Sequence, residues 1–264
     1  MYVIAIANRK GGVGKSTVTA NLAAAYGLEG KRVLVIDMDS QGSSTKTLLD
    51  KAPTDATMAH VMIGRSTLAQ AIRATTATNV WIAPAIKQLT DALLAIVAKP
   101  GRETIVRRQL REISDFDVVL IDTSPERQLG TVNALVASTH VVMPFSFDPV
   151  AIEGMEETVE AVAEIVEAEL AQTTVLGCVQ VAHDKRLGVS TSARERVSEN
   201  WGTRLFESML RFNTNFVMCT AEHRSIFSIE QSVRPPRRGS DDIRALAAEV
   251  WSRLDTLSLN RVAA

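Results

Sequence analysis

Val3-Ile-Ala-Ile-Ala7 runs directly into Asn8-Arg-Lys-Gly-Gly-Val-Gly-Lys-Ser-Thr17, and a helical pattern begins at once. A β-branched run, a glycine-rich turn and a helix N-terminus, in that order, set consecutive backbone N–H groups around an anion. Lys15 adds a point charge there, and the Ser16 hydroxyl can ligate Mg²⁺. The ordinary phosphate-binding pattern has glycine where this chain has Arg9. The segment Lys10, Gly11, Gly12, Val13, Gly14, Lys15, Ser16, Thr17 instead carries a second lysine at its start. A lone glycine-rich loop can be no more than a tight turn, so the case for a phosphate site depends on the rest of the chain.

Two later segments support it. Val33-Leu-Val-Ile-Asp37-Met-Asp39 ends an apolar run on two carboxylates, and Phe116-Asp-Val-Val-Leu-Ile-Asp122 does the same with one. In a parallel sheet such strand ends meet at the carboxyl edge beside the phosphate loop, where carboxylates hold Mg²⁺ through water or orient an attacking water. Each aspartate alone could equally cap the next loop. The three segments in this order make a nucleotide site the stronger reading.

Outward from these segments, Val3–Ala7, Val33–Ile36, Val80–Ala83, Val118–Ile121, Val141–Pro144 and Val175–Val181 read as strands buried on both faces. Helical patterns alternate with them: Ser16–Glu29 closed by Gly30, Pro149–Leu170 opened by Asp148 and Pro149, and 240–257 with Ser240 as N-cap. The last presents Ile243, Leu246, Ala247, Val250, Trp251 and Leu254 on one face. The expected fold is α/β, a doubly wound, mostly parallel sheet flanked by helices. With 264 residues, 46% of them hydrophobic, the chain reads as a single domain over 1–264. The stretch Arg234–Ser240 is linker-like, but too little chain lies beyond it for a second domain. Strand one starts at the N-terminus, so no helix-turn-helix extension is expected before it.

Charge and cysteine usage exclude several functions. The net charge is −1 with a pI near 6.5, so the whole molecule sets up no field for nucleic acid or anionic lipid, and any DNA site must be a local patch. Cys178 and Cys219 form no CxxC, and His60, His140, His183 and His223 are not spaced as metal ligands. The cysteines read as buried packing. The first apolar run is too short for a signal peptide or membrane span, which implies a cytoplasmic protein.

The motifs above, with Leu129-Gly-Thr-Val-Asn133 and Val142-Met-Pro-Phe-Ser-Phe-Asp-Pro-Val-Ala-Ile-Glu-Gly154, resemble the ParA partition ATPases of the ParA/MinD deviant Walker A superfamily over most of the chain. That resemblance implies an ATP- and Mg²⁺-dependent ATPase, slow when alone, that closes a homodimer on ATP. Lys10 would contact phosphates in the partner subunit, and Lys15 the β- and γ-phosphates in its own. Ser16, Asp37 and Asp122 would serve Mg²⁺ and its waters, and Asp39 the hydrolytic water. The dimer would bind double-stranded DNA without sequence preference on the nucleoid, and a ParB-like partner would stimulate hydrolysis. Ser40 replaces the family's usual proline, and the family's Pro-Arg-Asn run near adenine has at best the counterpart Leu210-Arg-Phe-Asn213, which would make Arg211 and Asn213 nucleotide contacts.

Residues 183–238 hold ten Lys/Arg against six Asp/Glu, and Lys185, Arg186, Arg211, Arg224, Arg234, Arg237 and Arg238 are the candidate DNA contacts. The plain alternative for any one is a solvated or ion-paired surface residue. The segment 148–169 has eight acidic and no basic residues, a face that should avoid DNA. Three rivals share the scaffold. A MinD-like membrane-cycling ATPase needs a basic amphipathic tail, which Leu257-Ser-Leu-Asn-Arg-Val-Ala-Ala264 is not. An iron–sulfur carrier like the nitrogenase iron protein needs cysteines nearer Asp122. A metabolite-dependent ligase or kinase needs a pocket that no motif here specifies.

Overall fold

The computed structural model describes residues 1–51, 53, 55–126, 128–184, 186–232 and 237–262. Its strands are β1 (Tyr2–Ile6), β2 (Val33–Met38), β3 (Arg73–Ala74), β4 (Val80–Ala83), β5 (Val118–Thr123), β6 (His140–Phe145), β7 (Thr174–His183) and β8 (Leu205–Arg211). They form one sheet in the order β3-β4-β2-β5-β1-β6-β7-β8, parallel except for β3 at one edge. The helices are α1 (Lys15–Leu28), α2 (Ser43–Leu48), α3 (Met58–Ile63), α4 (Leu68–Ala71), α5 (Leu89–Ala95) and α6 (Ile105–Leu110). They continue with α7 (Leu129–Ala137), α8 (Pro149–Glu167), α9 (Gly188–Trp201), α10 (Asn215–Ala221), α11 (Ile226–Gln231) and α12 (Arg238–Val262).

Alternate residues of each strand feed opposite cores. Val33, Val35, Val118 and Leu120 pack under α1, α11 and α12. Leu34, Ile36, Val119 and Ile121 pack under α3, α5, α6 and α7. Both faces are therefore covered, which is why β2, β5 and β6 are buried at every position. Helix α1 ends where Gly30 turns into the left-handed region at φ 85°. Helix α8 starts where the Asp148 carboxylate accepts the Val150 N–H at 3.0 Å and Pro149 takes the first helical position.

Three features depart from the sequence reading, the first being the two-residue β3, too short to show a pattern. The strand β8 is absent from that reading too, because Glu207 and Ser208 interrupt the apolar run; β8 is an edge strand whose Glu207 and Ser208 N–H groups donate to the Glu249 carboxylate of α12 at 2.9 and 2.8 Å. Ser240 is not the N-cap of the last helix, which already starts at Arg238. The Glu230 carboxylate does that work from α11, accepting the N–H groups of Gly239 (3.0 Å) and Ser240 (2.9 Å) and the Ser240 hydroxyl (2.8 Å). The apolar face of α12 is as expected, with Ile243, Leu246, Ala247, Val250 and Leu254 fully buried.

Candidate nucleotide site

The loop between β1 and α1 turns on two glycines in the left-handed region, Gly12 (φ 74°) and Gly14 (φ 78°), where a side chain would strain the backbone. Its closing lysine, Lys15, is only 6% exposed, and its ammonium donates to the Lys10 carbonyl at 3.0 Å. Burial lowers the Lys15 pKa, while the nearby Asp122 and Asp39 oppose that shift.

Asp37 and Asp122 lie side by side in register on β2 and β5, both with no exposure. Burial raises both pKa values, and for Asp37 the neighbouring Asp122 adds to it. Asp122 accepts the Ser44 hydroxyl at 2.7 Å and the Thr19 hydroxyl at 3.5 Å, and Ser16 also hydrogen-bonds it. Asp37 accepts the N–H of Asp39 at 3.0 Å and, on its other oxygen, the Thr45 N–H and hydroxyl at 2.9 and 2.8 Å. Asp39 is partly exposed at the head of the next turn, where its carboxylate accepts the Gln41 N–H at 2.9 Å.

Three carboxylates around one buried ammonium leave the site short of positive charge. The donors Ser16 and Asp122 are hard oxygens, and among the described residues no three His, Cys, Asp or Glu side chains are placed to hold a metal ion by themselves. A small hard cation that takes one hydroxyl and keeps most of its waters and phosphate ligands fits this set, which is the coordination habit of Mg²⁺.

Helix α8 clamps the entrance of the loop, a feature the sequence did not reveal. Lys10 pairs with Asp148 at 3.5 Å and Arg9 with Glu157 at 3.1 Å. Asn8, 2% exposed, donates to the carbonyls of Pro144 and Ala151 at 2.8 and 3.0 Å and accepts the Lys10 N–H at 2.8 Å. Gly154 allows this approach: a Cβ there would lie 2.4 Å from Asn8 Oδ1 and 2.9 Å from the Lys10 nitrogen. Asp148 is legible in the sequence only as a helix start; its second oxygen, on Lys10, is not.

Three of the candidate arginines of the carboxyl-terminal third are paired with carboxylates. Arg211 grips Asp242 through Nε at 2.9 Å and Nη2 at 2.5 Å. Arg186 makes a two-pronged contact with Asp184, and Arg224 lies 3.7 Å from Glu222. Arg186, Arg211 and Arg238 line one cleft of about 510 Å³ with His183, Asp184 and the exposed Phe212. Arg237 is exposed next to it in sequence. Lys185 and Arg234 lie outside the described residues. Asn213 donates to Glu230 at 3.1 Å, so the 211–213 segment is anchored to α11 and α12 rather than to the phosphate loop. Both cysteines are buried, and burial pushes each thiol up to about 12, which leaves them unreactive.

The model of the AAA_31 family, an AAA domain, matches residues 1–175. The sporulation initiation inhibitor protein Soj of Bacillus subtilis is 30% identical over 250 residues, covering 94% of this chain and 97% of its own. Cobyrinic acid a,c-diamide synthase from Mycobacterium smegmatis, solved with an ATP analogue and magnesium, shares 26% identity with a TM-score of 0.75 over 89% of this chain and 97% of that one. McdA from Cyanothece, 18% identical, shares the fold at a TM-score of 0.82 over 96% of this chain and 99% of that one.

Proposed function

The chain belongs to the ParA/MinD family of P-loop ATPases, and we propose that it is a ParA-like ATPase that partitions or positions a large cargo. It binds ATP with Mg²⁺, closes a homodimer, holds double-stranded DNA of any sequence and releases it when a ParB-like partner stimulates hydrolysis. The observation that carries this reading is Lys10. Its ammonium takes no place in the cradle that Lys15 fills; it stands at the loop's mouth, about one-third exposed, on Asp148. Around it Phe147, Val150 and Val189 are exposed beside a cleft lined by Gly12, a rim that a second copy would cover.

In this reading the N–H groups of residues 11–17 and the Lys15 ammonium hold the β- and γ-phosphates. Ser16 and Asp122 are the residues that would hold Mg²⁺, which supplies charge neutralisation at the transferring phosphate. Asp39 aligns the attacking water, and Lys10 leaves Asp148 to reach the partner's nucleotide. A site finished only across an interface couples the γ-phosphate to quaternary structure. Among the described residues no helix is long and apolar enough to cross a membrane, and the apolar face of α12 is spent on the core.

The deciding experiment is binding to arbitrary double-stranded DNA with ATP, ADP or no nucleotide across a salt series, with Asp39→Ala beside the native chain. ATP-dependent, salt-sensitive and sequence-indifferent binding, strongest for Asp39→Ala, is expected. Binding that ignores nucleotide, or none at all, refutes the DNA part. A metabolite-dependent ATP ligase is the second reading, favoured by the likeness to the Mycobacterium smegmatis synthase. ATP turnover driven by a small molecule without DNA or protein partner would select it.

A further inference from the structure

We infer that Ser44 and Thr45, consecutive hydroxyls on α2, are positioning residues for hydrolysis that bracket the buried pair Asp37 and Asp122 and thereby fix the turn carrying Asp39. The inference rests on the reading of Asp39 as the residue that aligns water.

Thr45, 3% exposed, donates both its N–H and its hydroxyl to Asp37 Oδ2, and its hydroxyl oxygen accepts the Ala85 N–H at 3.0 Å from the segment after β4. The other oxygen of Asp37 takes the peptide N–H of Asp39 itself. Both oxygens of Asp37 are thus engaged by its own downstream segment, 39 to 45. Asp37 acts as the pin of that segment. Ser44, fully buried, reaches the other way and donates to Asp122 Oδ2 at 2.7 Å, so one turn of helix holds both carboxylates of the pair. The far side of α2 is tied as well, through Thr47 Oγ1 and Thr220 Oγ1 at 3.0 Å. A water-aligning carboxylate acts through its position to within a fraction of an ångström, and here that position is set by a hydroxyl six residues further along the chain.

Four full-length variants test this: Thr45→Val, which keeps the shape and removes the hydroxyl, Thr45→Ser, Ser44→Ala and Asp39→Ala. Steady-state hydrolysis, affinity for a non-hydrolysable ATP analogue with Mg²⁺, and hydrogen exchange of peptides spanning 39–48 in the nucleotide-free protein are measured. Thr45→Val is expected to lower kcat about tenfold. It should also speed exchange across 39–48 and leave analogue affinity within about threefold, since the phosphate cradle is untouched. Thr45→Ser should restore both kcat and exchange, and Ser44→Ala should lower kcat by a smaller factor. If Thr45→Val fails to fold, the smaller Ser44→Ala carries the test, and unchanged kcat there overturns the inference. An inactive Asp39→Ala beside a fully active Thr45→Val overturns the inference alone. Normal hydrolysis by Asp39→Ala overturns the Asp39 reading underneath it. Equal loss in Thr45→Val and Thr45→Ser points to packing and also overturns it.

Discussion

At the phosphate loop the buried Lys15 ammonium sits in the field of Asp122 and Asp39 yet spends its hydrogen bond on a backbone carbonyl, whereas in the carboxyl-terminal third Arg186, Arg211 and Arg224 each already meet a carboxylate. The first arrangement costs stability at rest, because burial costs the ammonium more than the fields of Asp122 and Asp39 return. It makes sense only if a ligand completes it. The second is satisfied at rest, so an incoming phosphate must compete with Asp184, Asp242 or Glu222 for each arginine. The loop is thus built for one tight anion, and the arginine-rich region for many weak ones or for none.

The sharpest way to break this contrast is to delete the two best examples. Lys15→Ala should lower ATP affinity by about 100-fold, the scale of a charge-assisted contact in a water-poor site, while leaving the nucleotide-free protein at least as heat-stable as the native chain. Calorimetric titration and thermal unfolding of the same sample check both halves, and unaltered ATP binding would remove Lys15 from the phosphate site. Arg211→Ala should do the reverse. It strips Asp242, 9% exposed, of its guanidinium partner while the Arg211 N–H and Glu249 still tie β8 to α12, lowering Tm by about 3 °C with ATP affinity almost unchanged. A loss of ATP affinity without a loss of Tm would instead make Arg211 a nucleotide contact.

These two residues also mark what can be read from the chain. Lys15 is legible because the strand, the glycines and the lysine are contiguous, and the geometry of an anion cradle tolerates few other residues. The carboxylates at 37, 39 and 122 are legible as strand ends. What Asp37 does is not, since its partner Thr45 sits in a short helix with no pattern of its own. Arg211 reads as a surface cation because Asp242 is 31 residues away and only the packing of α12 on β8 brings them together. The same cause hides β8: its polar positions are matched by Glu249 from α12, a partner that periodicity cannot supply. Asp184 beside Arg186 and Glu222 beside Arg224 are near neighbours in the chain, but the neutralisation of Arg211 by Asp242 is not written locally.

A smaller effect probes the arginines that remain available. Arg237 and Arg238 are both exposed, Arg238 on the cleft holding Arg186 and Arg211 and Arg237 on a neighbouring one with Arg244, and the double variant Arg237→Glu with Arg238→Glu should weaken DNA binding in the ATP state. If both touch phosphate, the slope of log affinity against log salt should fall by about two per subunit, equally on unrelated DNA sequences. An unchanged slope would move the DNA face elsewhere, and a change confined to one sequence would contradict non-specific binding.

The least effect, and the most direct reading of the site's charge shortage, is in pH. Burial holds the Asp37 and Asp122 carboxyls above their ordinary range, so between that range and about pH 8 the folded chain binds more protons than the unfolded one. Their contribution is therefore greatest below the ordinary carboxylate value and is lost as pH rises through the folded value. Nucleotide-free protein should gain about 2 °C in Tm between pH 8 and pH 6, a modest fraction of what two fully uncompensated carboxylates could give. Removing Lys15, whose charge favours the ionised form of Asp122, should steepen that slope, and Mg²⁺ with ADP should flatten it by favouring the ionised form. Asp184, held down to about 2 by Arg186, titrates outside this window and leaves the trend alone. A Tm that falls from pH 8 to pH 6 would mean the pair is already compensated in the nucleotide-free fold, and the contrast between the loop and the arginine-rich region would lose its physical basis.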